Sequence, residues 1–121
     1  MKEQETIKEL THAEEQVMFF LWDMEKAFVK QLVEMYEMPQ PAYNTVSTIV
    51  RILEKKGFVS YRAFGRSHQY FPVVSREEYM HFIGMRIIRD YFDGSFVEFN
   101  QFFMEKGEIS PNEFDKIVDI K

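Results

Sequence analysis

Between Asn44 and Val59 the chain reads NTVSTIVRILEKKGFV. At helical spacing, Asn44, Thr45, Ser47, Thr48 and Arg51 share one side, and Val46, Ile49, Val50 and Leu53 share the other. Short amide and hydroxyl side chains with one guanidinium suit the edges of bases. In a major groove Asn pairs with adenine, Arg with guanine, and a Thr methyl touches the thymine methyl. Asn, Thr and Ser are indifferent helix formers, so a row of them costs helix stability that Glu, Lys or Ala would not. The bland alternative is a solvated face that binds nothing.

Further along, Lys55, Arg62 and Arg66 extend the set of candidate contacts. Arg66, at the expected tip of a hairpin, can reach a phosphate or the minor groove, or serve only as a soluble turn residue. Counting charge by segment supports a basic patch. Residues 1–41 carry 4 basic and 9 acidic side chains, residues 42–75 carry 5 and 1, and residues 76–121 carry 6 and 10. The net charge of -5 therefore hides a positive middle segment, the footprint expected of a duplex binder.

Catalysis has little to stand on. The chain has no HExxH, no glycine-rich phosphate loop and no serine in a nucleophile elbow. Glu78 and His81 have the i, i+3 spacing of carboxylate-bridged metal helices, but that chemistry needs a second such pair, which the sequence lacks. With no cysteine there is no disulfide framework and no thiolate metal site. Neither a metal nor a cofactor is expected, and the protein is read as a non-enzyme. No signal-type stretch or membrane-length apolar run occurs, so a cytoplasmic location is expected.

Three helical segments position the polar face. Thr11 and Glu14 have capping-box spacing ahead of the stripe Val17, Met18, Leu21 and Trp22. A second helix is expected over KAFVKQLVEMYEM, ended by Pro39 to Pro41. The third runs from about Tyr43 to Lys56 with Gly57 as its C-terminal glycine. Then the period changes: FVSYRAF and SHQYFPVV read as strands, and Gly65-Arg66 fits a two-residue hairpin loop. Tyr61, Tyr70 and Phe71 read as hairpin core. The order helix, helix, helix, hairpin is that of a winged helix, and the third helix holds the place of the recognition helix.

Past Ser75 the pattern is again helical. Ser75 and Glu78 repeat the capping-box spacing, and Met80, Ile83, Ile87, Ile88 and Tyr91 form a long apolar stripe. Gly94 breaks the helix, Phe96, Phe99, Phe102 and Phe103 follow, and SPNEFDKIV is another start signal. About 45 residues cannot bury such faces alone, so a partner surface is required. A homodimer is the economical answer, because an operator reader places two recognition helices about 34 Å apart. Met80, Ile83, Ile87, Ile88, Tyr91, Phe96, Phe99 and Phe103 are the candidate dimerisation residues.

The runs LTHAEEQVMFFLW, NTVSTIVRILEKKGFV and GRSHQYFPVVSREEY resemble successive motifs of the penicillinase-repressor (BlaI/MecI) family of winged-helix regulators. The resemblance extends from Leu10 to the last segment, SPNEFDKIVDIK. It implies a dimeric repressor on a palindromic double-stranded DNA operator, inactivated when a membrane-bound sensor system leads to its proteolysis. It also implies that Asn44, Thr45, Ser47, Thr48 and Arg51 face the groove. The family usually has an aromatic at the position of Glu15, and Ser-Pro or Ser-Arg at Ala42-Tyr43. The bond cleaved in the best-known members joins Asn to Phe. The aligned pair here is Phe102-Phe103, with Asn100 nearby, which makes Phe102 and Phe103 the candidate cleavage site. The C-terminal cysteines of copper-responsive relatives are absent.

The expected architecture is thus mainly α with a small β-hairpin: a winged helix-turn-helix domain over residues 1–75, then a helical dimerisation region over residues 76–121. The expected function is transcriptional repression. The alternative from another class is a winged helix used only as a protein-interaction module, without sequence-specific DNA binding.

Overall fold

A computed structural model of the chain describes residues 7–108, 110–113 and 116. The first helix, α1 (His12–Met24), begins in a reciprocal cap: the Glu14 N–H donates to Thr11 Oγ1 at 3.2 Å, and the Thr11 N–H donates to Glu14 Oε1 at 2.9 Å. Its stripe Val17, Met18 and Leu21 is fully buried. The chain turns at Glu25, which adopts a φ of 73°.

Where the sequence suggested that a helix resumes, the structure has a two-residue strand, β1 (Ala27–Phe28), before α2 (Val29–Met35). Ala27 pairs with Tyr70 and Phe28 with Gln69. The hairpin is accordingly part of a three-stranded antiparallel sheet in the order β1-β3-β2, with β2 (Val59–Phe64) and β3 (Ser67–Pro72). Phe64 pairs with Ser67 across the Gly65-Arg66 turn, and Gly65 has the positive φ of 62° that this turn demands.

Helix α3 (Tyr43–Lys55) lies between these parts. Its C-terminus closes in a Schellman motif: the Phe58 N–H donates to the Leu53 carbonyl at 2.9 Å and the Gly57 N–H to the Glu54 carbonyl at 3.0 Å. Gly57, at φ 84°, makes the turn without Cβ strain. Leu53 and Phe58 are both fully buried, as are Val46 and Val50, and with Leu32 they complete the core. At the opposite end Ala42 occupies the N-cap and supplies no side-chain hydrogen bond.

Helix α4 (Arg76–Phe92) starts with the Ser75/Glu78 exchange, at 2.8 and 3.0 Å. Two compact units part inside it, one running to Met80 and the other starting at His81. The sequence put its boundary at Ser75; the first turn of α4 instead sends Tyr79 into the first core. There the Tyr79 hydroxyl accepts from the Leu10 N–H at 2.8 Å and its ring meets Phe58 at 5.5 Å.

In the second unit Asp93 and Gly94, both at positive φ, separate α4 from α5 (Phe96–Glu105), which Ser95 caps through the Glu98 N–H. Phe92 packs edge-on against Phe99 at 5.3 Å, and Phe99 against Phe103 at 5.1 Å. The Asn100 side chain is buried and donates from Nδ2 to the Phe96 carbonyl at 2.8 Å. Ser110 and Glu113 cap each other as their spacing suggested. Phe114, Asp115 and the residues from Ile117 onward, where that last helix was expected to continue, lie outside the described residues.

Candidate nucleic-acid interface

Three fully buried side chains, Val46, Val50 and Leu53, fix the rotation of α3 about its axis. The opposite arc then falls to solvent. Asn44, Thr45, Thr48, Arg51 and Lys55 are exposed and Ser47 is half-buried. Ile49, expected in the core stripe, is only half-buried. Two of the polar groups are already engaged within the helix. Thr48 Oγ1 donates to the Asn44 carbonyl at 2.9 Å, and Arg51 Nη2 donates to Ser47 Oγ at 3.0 Å. Bonding back to its own backbone turns the Thr48 hydroxyl inward. The Ser47 contact holds Arg51 extended along the helix surface, which lowers the entropy lost when a guanidinium is ordered by a ligand.

Sequence reasoning passed over Ile52, which is 39% exposed within this polar arc and offers an apolar surface of the kind a thymine methyl contacts. Its signal was its angular position, which falls outside the stripe of Val46, Val50 and Leu53. Tyr43 and Glu54 are likewise exposed, on the flank of α3 nearest the hairpin.

A groove of about 880 Å³ runs between that flank and the hairpin, and it brings Ser47 and Arg51 of α3 together with Arg66 of the turn. Lys30 of α2, which the sequence did not single out, lines it too. Arg62 does not. It lies in register with Gln69, one residue out of phase with Tyr61, and its guanidinium sits 5.5 Å from the centre of the Phe64 ring. Strand alternation therefore sends Arg62 to the other face of the hairpin from Tyr61 and Tyr70.

Tyr70 is buried where the hairpin approaches α3, and its hydroxyl is pushed above the ordinary phenol range, by burial first and then by the charge of Glu54, with Arg51 opposing. Tyr61, expected in the core, is instead exposed, and the His68 ring stacks on it at 4.0 Å with 8° between planes.

In the second unit the apolar residues divide. Tyr91 at 74% and Phe96 at 53% exposure remain open, as does Met80 of the first unit at 60%. Ile83, Ile87, Phe99 and Phe103 are half-buried. Ile88 is only 7% exposed and already belongs to the interior of a single chain, so it offers little to a partner. Phe102 and Phe103 both lie within α5, Phe102 exposed and Phe103 half-buried. Among the described residues no helix is long and apolar enough to cross a membrane.

Three helices on a three-stranded antiparallel sheet, with a hairpin flanking an exposed polar third helix, define a winged helix-turn-helix protein. The family model for the penicillinase repressor matches residues 10–120, and the chain belongs to that family. It is 25% identical over 113 residues to the methicillin resistance regulatory proteins MecI of Staphylococcus aureus (strain N315), Staphylococcus epidermidis and Mammaliicoccus sciuri, covering 93% of this chain and 92% of theirs. Members of this family are transcriptional repressors and not enzymes.

Proposed function

We propose that this repressor binds a palindromic duplex operator as a homodimer, with α3 in the major groove and the β2–β3 hairpin as a wing on the backbone. The observation that carries the reading is the exposed arc of Asn44, Thr48, Arg51 and Lys55 beside Arg66 at the wing tip. Base-reading groups lie on the helix, and a cation lies where the sugar-phosphate strand beside that groove would pass. Two such modules are held by the open apolar surface of Tyr91 and Phe96 in the second unit. Release follows proteolysis in α5, at or near Phe102-Phe103, set off by a membrane-linked sensor protease.

The test is fluorescence anisotropy with a labelled duplex taken from upstream of the gene itself, titrated across salt. Binding that weakens linearly in log-log form with salt, by about 0.9 for each phosphate neutralised, supports duplex recognition. Affinity that ignores salt would instead point to a module that contacts protein.

A further inference from the structure

The stack of Tyr61 and His68 has no role in the core. Both rings lie on the hairpin face turned toward α3, because Tyr61 pairs in register with Tyr70, and Tyr70 sits close enough to α3 to feel Arg51 and Glu54. His68 lies two residues nearer the tip than Tyr70 and directly opposite Ala63, whose methyl is too small to cover the imidazole. Tyr61, the diagonal neighbour, covers one face of the ring, Tyr70 meets it at 62° with 6.1 Å between centroids, and the imidazole stays half-exposed. No protein group hydrogen-bonds either imidazole nitrogen among the described residues.

The surroundings select the ligand. His68 shares the groove with Lys30 of α2, Arg51 of α3 and Arg66 of the turn, all basic; among the described residues Glu54 of α3 is the one acid lining it, and it acts on Tyr70, two residues further from the tip. Tyr43 and Ser47 complete the α3 side. A groove with three cations around an imidazole fits an anion. When a recognition helix and a wing engage one duplex, the sugar-phosphate strand bordering the major groove runs between them.

We infer that His68, held flat against Tyr61, contacts a backbone phosphate of the bound operator between α3 and the wing and makes repression pH-sensitive. Imidazole is the side chain whose charge changes between about pH 5 and 8. A phosphate oxygen accepts a hydrogen bond from either form of the ring but gains a neutralising charge only from the cation. Protonation of the ring therefore strengthens operator binding and releases one more counterion per half-site. The inference rests on the operator-binding reading above.

The experiment measures anisotropy of wild-type protein on operator duplex across salt at about pH 6 and about pH 8. The salt slope should be steeper at the lower pH by about 0.9 per half-site. His68→Gln, which cannot take up the charge, should show the shallower slope at both pH values, and His68→Arg, permanently charged, the steeper slope at both. The double variant His12→Gln/His81→Gln, altering the other two histidines, should behave as wild type. Thermal melts of each variant confirm that it is folded. Wild-type slopes that are equal at the two pH values, or a pH effect that survives in His68→Gln or disappears in the double variant, would overturn the role of His68. No salt-dependent binding by wild type at either pH would instead overturn operator binding itself.

Discussion

Lys56 Nζ lies 2.7 Å from Glu14 Oε1, joining the end of α3 to the start of α1 across 42 positions of sequence. The Glu14 side chain is only 8% exposed, and the same oxygen also accepts from the Thr11 N–H. Burial raises its pKa, but the hydrogen bonds from Lys56 and Thr11 and the charge of Lys56 outweigh it, and the carboxyl is held below the ordinary value of 4.5. One carboxylate thus closes the cap of α1 and fixes the helix that carries the polar arc.

Glu14→Gln should lower stability by about 1.5–3 kcal/mol, the range for hydrogen bonds to charged groups. The sign of the pH dependence follows from the depressed pKa. The unfolded state binds the proton more readily, so the contribution is complete above about 4.5 and fades as pH falls through the folded-state value. Urea midpoints of wild type and variant should therefore differ most at neutral pH and converge in acid. A gap that stays constant down to acid pH would show that the pair does not stabilise as an ion pair.

How far the sequence could be read depended on whether the cause was local. The caps at Thr11/Glu14, Ser75/Glu78 and Ser110/Glu113 were legible, because each is a bond between residues three apart. So were Gly57 and the Gly65-Arg66 turn, where a positive φ leaves a direct mark on residue type. Strand β1 was not: Ala27 and Phe28 become a strand only by pairing with β3, more than 40 positions away. Register hid the sites of the wing in the same way. Arg62 and Arg66 look equivalent as a string, yet of the two only Arg66 lines the groove with Arg51, and Tyr61, a natural core residue by type, is exposed along that groove. Ile88 matched its stripe neighbours by spacing, but it is buried in its own chain while Tyr91 is open.

Ala42 leaves α3 without a side-chain cap. Its backbone is extended, at φ -68° and ψ 151°, the geometry in which a serine hydroxyl reaches the N–H groups of the first turn. Ala42→Ser should stabilise the protein by about 0.5–2 kcal/mol, seen as a higher urea midpoint at unchanged m-value. An unchanged midpoint would mean that these N–H groups are already satisfied by water.

Arg51→Ala and Arg66→Ala should separate base reading from backbone contact. Neither residue belongs to the core, so thermal unfolding should be nearly unchanged. Loss of Arg51 should cost about 1–3 kcal/mol at one operator position and relax preference there. Removing Arg66 should weaken all duplexes alike and reduce the salt slope by about one unit. Binding of substituted operators by both variants checks this; an Arg66→Ala effect confined to one base pair would mean that the wing reads sequence.

Cleavage in α5 should act on affinity through assembly. Phe102 and Phe103 pack on Phe92 and Phe99 in the second unit, at 5.8 and 5.1 Å respectively. A chain ending at Asn100 lacks both rings, and with them part of the apolar surface proposed to hold two winged helices together. Each reader would then bind alone, with half the phosphate contacts of the dimer. Affinity for the operator should fall toward the non-specific range, about 10⁻⁴–10⁻⁶ M at physiological salt, although the arc from Asn44 to Lys55 is untouched. Sedimentation gives the mass and gel shift the affinity of the shortened chain. If it remains a dimer with full operator affinity, cleavage there cannot be the switch, and induction must act on the winged helix itself.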